Sequence, residues 1–161
     1  MQKVLVIGCP GSGKSTFARA LGEITGLPVC HLDLLYWNAD KTTVANEIFL
    51  ERLRRVLDTE QWIIDGNFSN TLPQRLEKCD TVFFLDFPTD LCLEGVRSRR
   101  GKPRPDLPWI EEEEDTEFMD FRAHCATDRR PQILHLLQSH PQKQIFVFAN
   151  RASAAEYLAQ F

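Results

Sequence analysis

The stretch Gly8-Cys9-Pro10-Gly11-Ser12-Gly13-Lys14-Ser15 constrains this chain more than any other. It satisfies G-x-x-x-x-G-K-[ST] at every fixed position, and its surroundings are those the motif requires. Before it runs the apolar stretch Val4-Leu5-Val6-Ile7, as expected of a strand buried on both faces of a parallel sheet. After it, Phe17, Leu21 and Ile24 fall at helical spacing until Gly26 and Pro28 supply a stop. Glycines let successive backbone N–H groups turn inward onto phosphate oxygens, and the following helix N-terminus adds about half a positive charge. Lys14 is placed to reach the β- and γ-phosphates and Ser15 to offer its hydroxyl to Mg²⁺. The expected ligand is ATP·Mg, gripped by Gly8, Pro10, Gly11, Ser12, Gly13, Lys14, Ser15 and Thr16. GTP is disfavoured, because no N-K-x-D-like guanine motif stands near the fourth predicted strand.

The same alternation continues along the chain. Strands are predicted at 3–7, 28–32, 62–64, 81–86 and 145–149, with helical stretches at 14–26, 43–59 and 89–100, from Asp128, and from a capping box at Ser153-Ala154-Ala155-Glu156. Parallel strands need helical crossovers, so the pattern implies an α/β fold: a five-stranded parallel sheet with helices on both faces. At 161 residues the chain reads as one domain, 1–161, with an acceptor-side segment at about 33–60. The proline-rich, charged stretch at about 101–128 lacks a clean period and reads as a lid insertion.

Composition narrows the function classes. A net charge of −4 disfavours a broad nucleic-acid surface, since neutralising phosphates takes clustered cations. No apolar run approaches the ~20 residues of a membrane span, and the first residues lead straight into the loop, so a cytoplasmic protein is expected. The five cysteines, 9, 30, 79, 92 and 125, form no C-x-x-C pair and are expected as reduced thiols.

Ligands of open parallel sheets bind at the carboxyl ends of strands, which directs attention to Asp33, Asp65 and Asp86. Asp65, after Trp62-Ile63-Ile64 and before Gly66, and Asp86, after Val82-Phe83-Phe84-Leu85, compete as the carboxylate for the outer shell of Mg²⁺. Asp33 is read as the residue that orients or deprotonates an acceptor hydroxyl; a helix N-cap is its bland alternative. Tyr36, Trp37 and Phe68 offer flat surfaces for a ring, or ordinary packing. Arg97, Arg99, Arg100, Lys102 and Arg104 place five cations within eight residues at a helix end. Arg129 and Arg130 sit in a predicted first turn, where the helix dipole disfavours cations unless an anion is near. The acidic run 111–115 is read as a solvated face, because adjacent carboxylates repel.

In order and length the chain resembles the adenylate-kinase-like branch of P-loop kinases, through the loop itself, Leu32-Asp33, Ile63-Ile64-Asp65-Gly66 and Val96-Arg97-Ser98-Arg99-Arg100. Closer still, His31-Leu32-Asp33, Trp62-Ile63-Ile64-Asp65-Gly66-Asn67-Phe68 and Arg104-Pro105-Asp106 are similar to the small predicted kinases known as DNA topology modulation proteins. The resemblance implies a three-layer P-loop NTPase fold of the nucleoside and nucleotide kinase kind, and it favours Asp65 over Asp86 for the outer shell of Mg²⁺. It implies that Arg99 contacts the transferring phosphate, that a lid arginine, Arg130 or its neighbour Arg129, closes onto ATP, and that Asn150-Arg151 packs near the adenine. Where that branch holds its acceptor's phosphate with two arginines, this chain has Tyr36 and Ser69, with Arg75 as a displaced cation at best. The expected function is an ATP-dependent phosphotransferase acting on a small-molecule acceptor, a nucleoside or nucleotide by first preference. The competing function is a nucleotide-dependent regulatory or DNA-associated ATPase.

Overall fold

The computed structural model of the chain describes residues 1–111, 124–125 and 127–161. Five strands form one parallel sheet: β1 (Lys3–Gly8), β2 (Val29–His31), β3 (Trp62–Asp65), β4 (Thr81–Leu85) and β5 (Gln144–Phe148), in the order β2-β3-β1-β4-β5. The chain steps outward from β1 to one edge and then, through β4, to the other. The sheet therefore reverses its order beside β1, where open α/β sheets leave a ligand crevice.

Along β1, successive side chains point to opposite faces, and both faces are covered. Leu5 and Ile7 join Trp62, Ile64, Val82 and Phe84 in one core, closed by Phe49, Leu53 and Leu57 of α3 (Asn46–Leu57), Leu72 and Leu76 of α4 (Leu72–Lys78) and Ile133 and Leu137. Val4 and Val6 join Ile63, Phe83, Leu85 and Phe148 in the other, closed by Phe17, Ala18 and Leu21 of α1 (Lys14–Thr25) and Ala154. The result is the three-layer α/β fold.

The predicted elements are present with shifted ends. The expected strand 28–32 contracts to β2, and Leu32 opens a five-residue helix α2 (Leu32–Tyr36) that periodicity is too short to reveal. Helix 43–59 contracts to α3, and 89–100 to α5 (Thr89–Ser98). Asp128 does not cap the next helix, α6 (Arg130–Gln138), which follows directly from Arg129. The capping box at 153–156 is also corrected: α7 (Arg151–Leu158) starts three residues earlier than a Ser153 cap would place it, and the Asn150 side chain caps it by accepting from the Ser153 N–H at 2.8 Å.

One further expectation changes. Cys9 and Cys125 form a disulfide, with Cα atoms 6.0 Å apart across 116 residues of sequence; the fold brings the phosphate-loop end of β1 against the limb entering α6, which sequence spacing does not disclose. Cys30, Cys79 and Cys92 are free thiols. Of the expected lid at 101–128, residues 112–123 and 126 lie outside the described residues, as does the acidic run beyond Glu111. Among the described residues, no helix is long and apolar enough to cross a membrane.

Candidate active site

Lys14 opens α1, and Gly13 before it takes a left-handed backbone, φ 89°. Gly11, also left-handed at φ 84°, packs against α5 so closely that a Cβ would lie 1.9 Å from the Cys92 carbonyl oxygen. A Cβ on Gly95 would lie 2.1 Å from the Gly11 carbonyl oxygen. Helix α5 thus lies directly against the loop, and Gly95 is a site determinant that the sequence motif does not include.

Residues 10, 11 and 13–16 of the loop line one large cleft of about 1680 Å³, together with Asp33, Arg99 and Arg151. Burial pushes the Lys14 ammonium below its ordinary pKa, opposed by the negative charges of Asp65 and Asp33. Burial likewise pushes the Asp33 carboxyl above its ordinary value, with Lys14 pulling it back. Asp33 lies in the first turn of α2, behind His31 and Leu32, rather than capping the helix.

Magnesium fits the residues present. Ser15 Oγ donates to Asp65 Oδ1 at 3.0 Å, which leaves the hydroxyl's lone pairs for a cation. Asp65 is 2% exposed. The Ser12 hydroxyl is buried with no hydrogen-bond partner among the described residues. Asp86, the competing candidate, instead accepts two bonds from Arg130 Nε at 2.8 and 3.0 Å and one from Nη2 at 2.9 Å.

That pair also corrects the lid arginine. Arg130 is held on Asp86 and is not among the residues lining the cleft, whereas Arg129 is, and its Nη1 donates to Ser69 Oγ at 3.2 Å. Of the two, Arg129 faces the cleft and Arg130 turns to Asp86. Arg99 lines the cleft 3.7 Å from Glu111 Oε2. Asn150 is committed to capping α7, away from the cleft wall. Arg151 reaches the loop itself, donating to the Gly11 carbonyl at 3.3 Å and stacking over the Phe87 ring.

Part of the cleft's lining is aromatic. Tyr36, Trp37, Phe68 and Trp109 form it, with Tyr36 edge-on to Phe68 at 5.1 Å and Trp37 edge-on to Trp109 at 5.3 Å. Trp109 comes from the irregular segment, where no pattern marked it. Arg75 is no displaced acceptor cation: it is fully buried and donates to the backbone carbonyls of Gly66, Asn67 and Phe68 and to Thr71 Oγ1. It shapes the loop after β3, and burial lowers its pKa to about 10. Beside the lid root, Arg104 pairs with Asp106 at 3.2 Å and Arg19 approaches the same buried carboxylate at 3.7 Å.

No protein-family model matches the chain. Its sequence is similar to an adenylate kinase of Thermotoga maritima, 23% identical over 150 residues that span 89% of this chain and 67% of that enzyme. It is also similar to an adenylate kinase of Thermotoga petrophila, 27% identical over 88 residues, 53% of this chain and 39% of the enzyme. Among solved structures it resembles a shikimate kinase from Bacteroides thetaiotaomicron, with a TM-score of 0.64 at 21% identity over 98% of this chain and 94% of that one. A shikimate kinase from Acinetobacter baumannii, in complex with shikimate, gives a TM-score of 0.66 at 17% identity over 99% and 90%. The fold is that of the three-layer P-loop NTPases.

Proposed function

We propose that this chain is a P-loop phosphotransferase that moves the γ-phosphoryl group of ATP to a hydroxyl of a small acceptor. The observation that carries the reading is that one cleft is lined both by the phosphate loop with Lys14 and by the part-buried Asp33 and four aromatic side chains. A nucleotide switch needs only the first half. The similarity to adenylate kinases along 89% of the chain adds support, and shikimate kinases share the fold. The likeness of His31-Leu32-Asp33 and Arg104-Pro105-Asp106 to the DNA topology modulation proteins fits a small kinase too, and the net charge of −4 disfavours a DNA-bound role.

In this reading the loop amides and Lys14 hold the β- and γ-phosphates. Ser15, with Asp65 behind it, would hold a magnesium ion, which would supply positive charge against the negative charge spreading over the phosphoryl oxygens. Asp33, its carboxyl raised by burial, orients the acceptor hydroxyl and accepts its proton. Arg99 and Arg129 stabilise charge on the transferring group. Tyr36, Trp37, Phe68 and Trp109 hold a flat ring, which favours a nucleoside-like acceptor; neither Tyr36 nor Ser69 supplies an arginine for an acceptor phosphate, although Arg129 stands against Ser69. We place the enzyme in the cytoplasm, where ATP is available.

The test is ADP formation from ATP·Mg with and without pools of nucleosides, nucleoside monophosphates, sugars and hydroxy acids. Stimulation by one pool, lost on Lys14→Ala, supports the kinase. Tight ATP binding with no stimulation by any pool overturns it in favour of a nucleotide-switched protein.

A further inference from the structure

β2 and β3 run parallel in a register that makes His31 and Asp65 direct partners at the carboxyl ends of their strands. Both side chains therefore leave the same face of the sheet, and both are buried, His31 at 8% exposure and Asp65 at 2%. His31 Nδ1 contacts Asp65 Oδ2, and the other carboxylate oxygen, Oδ1, accepts from the Ser15 hydroxyl. A chain of three side chains thus runs His31–Asp65–Ser15 from the edge of the sheet to the start of α1. Neither His31 nor Asp65 lines the cleft, so neither meets the acceptor.

We propose that His31 is a positioning residue for the magnesium site: it pins the Asp65 carboxylate so that Oδ1 accepts the hydrogen bond from the Ser15 O–H and that hydroxyl's lone pairs are turned toward the metal. The inference rests on the phosphate-loop reading of Ser15, but not on phosphoryl transfer. A buried carboxylate can rotate about its last torsion, and one anchored only through Ser15 would follow the hydroxyl rather than direct it. With its proton on Nδ1, the tautomer this contact requires, the imidazole occupies Oδ2 and leaves Oδ1 one partner. Partners that orient metal-binding groups in this way carry factors of about 10–100 in metal affinity. The chain also explains a buried histidine that the transfer chemistry does not use.

The experiment measures binding of a fluorescent ATP analogue with and without Mg²⁺, so that each variant yields its metal-free affinity and the gain that metal adds. His31→Ala is expected to keep the metal-free affinity and to lower the affinity for Mg²⁺ about tenfold. His31→Asn, whose amide can donate from nearly the same place as Nδ1, should recover most of it. In an Asp65→Asn background, His31→Ala should add no further loss, because its route through Asp65 is already cut. A purely structural histidine would weaken binding equally with and without metal, and that result, or an unchanged Mg²⁺ affinity, overturns the proposal. If His31→Ala does not fold, the pair His31→Asn and Asp65→Asn decides: the proposal fails if the first behaves like the second. An inactive protein with the metal coupling intact would instead count against the kinase reading.

Discussion

The Ser15 hydroxyl donates to Asp65 Oδ1 at 3.0 Å, joining the first turn of α1 to the end of β3 across fifty residues of sequence. Val6 and Asp65 are register partners, so this contact forms wherever β1 and β3 pair as they do here. Asp65→Asn keeps the shape and an acceptor oxygen but removes the charge. It is expected to raise the Mg²⁺ concentration needed for half-maximal nucleotide-dependent activity by about ten- to a hundredfold. Asp86→Asn, whose target is Arg130, should leave that concentration unchanged, and a magnesium titration of both variants checks this.

Asp33 carries a conflict between stability and activity. Burial raises its carboxyl pKa in the folded chain, so protonation favours the folded state. The stability linked to this group is then present at pH below the unfolded carboxyl pKa and lost as pH rises through the raised folded value. At neutral pH the ionised form is strained, and Asp33→Asn should raise Tm while lowering kcat by about 10²–10⁴. In the wild type, kcat should fall on the acid side at a pH above the ordinary carboxylate range, and this limb should disappear in the variant. A pH–rate profile beside thermal melts reads both.

Neighbouring arginines at α6 should behave differently. Arg130→Ala breaks an exposed pair with Asp86 and should leave both stability and kinetics close to wild type. Arg129→Ala removes the side chain that faces the cleft and should lower kcat/KM on the order of tenfold to a hundredfold. Steady-state kinetics of the two variants, with thermal melts as controls, separate them.

Gly95→Ala inserts a methyl group 2.1 Å from the Gly11 carbonyl oxygen, a backbone atom that cannot step aside without moving the loop. The expected cost is about 1–3 kcal/mol of stability, with ATP affinity falling disproportionately because the strain lands on the phosphate cradle. Chemical denaturation and nucleotide titration together measure the two effects.

The Cys9–Cys125 bridge closes a loop of 116 residues. Cys125→Ser, or reduction of the wild type, should lower unfolding free energy by about 3–5 kcal/mol on the chain-entropy account. Urea melts with and without reductant give the value, and the variant should show no dependence on reductant.

The β1–loop–α1 unit is legible in sequence because its causes are local: an apolar run, glycines at fixed spacing, then a helical period. The positions of Asp33 and Asp65 near the carboxyl ends of β2 and β3 are legible for a related reason, since each follows a short apolar run, although only Asp33 lines the cleft. What escapes local reading depends on partners far along the chain. The role of Gly95 follows from helix α5 pressing on Gly11, and that of Arg151 from α7 returning to the loop. Which of Arg129 and Arg130 faces the cleft is set by Asp86, forty-four residues before Arg130. The pairing of His31 with Asp65 is a matter of strand register, and the Cys9–Cys125 bridge one of tertiary proximity. Trp109 lies in a segment without periodicity, so its place opposite Trp37 has no signal in the sequence.

If this chain is a kinase, donor and acceptor meet in one cleft, lined by Lys14 and Asp33. The most direct measurement is the fate of an isotopically labelled γ-phosphoryl group of ATP incubated with the protein, magnesium and fractionated small metabolites. A phosphotransferase should leave label in a phosphorylated small molecule, absent with Lys14→Ala and strongly reduced with Asp33→Asn. Label recovered only as inorganic phosphate, at the same rate with and without metabolites, would contradict the kinase reading.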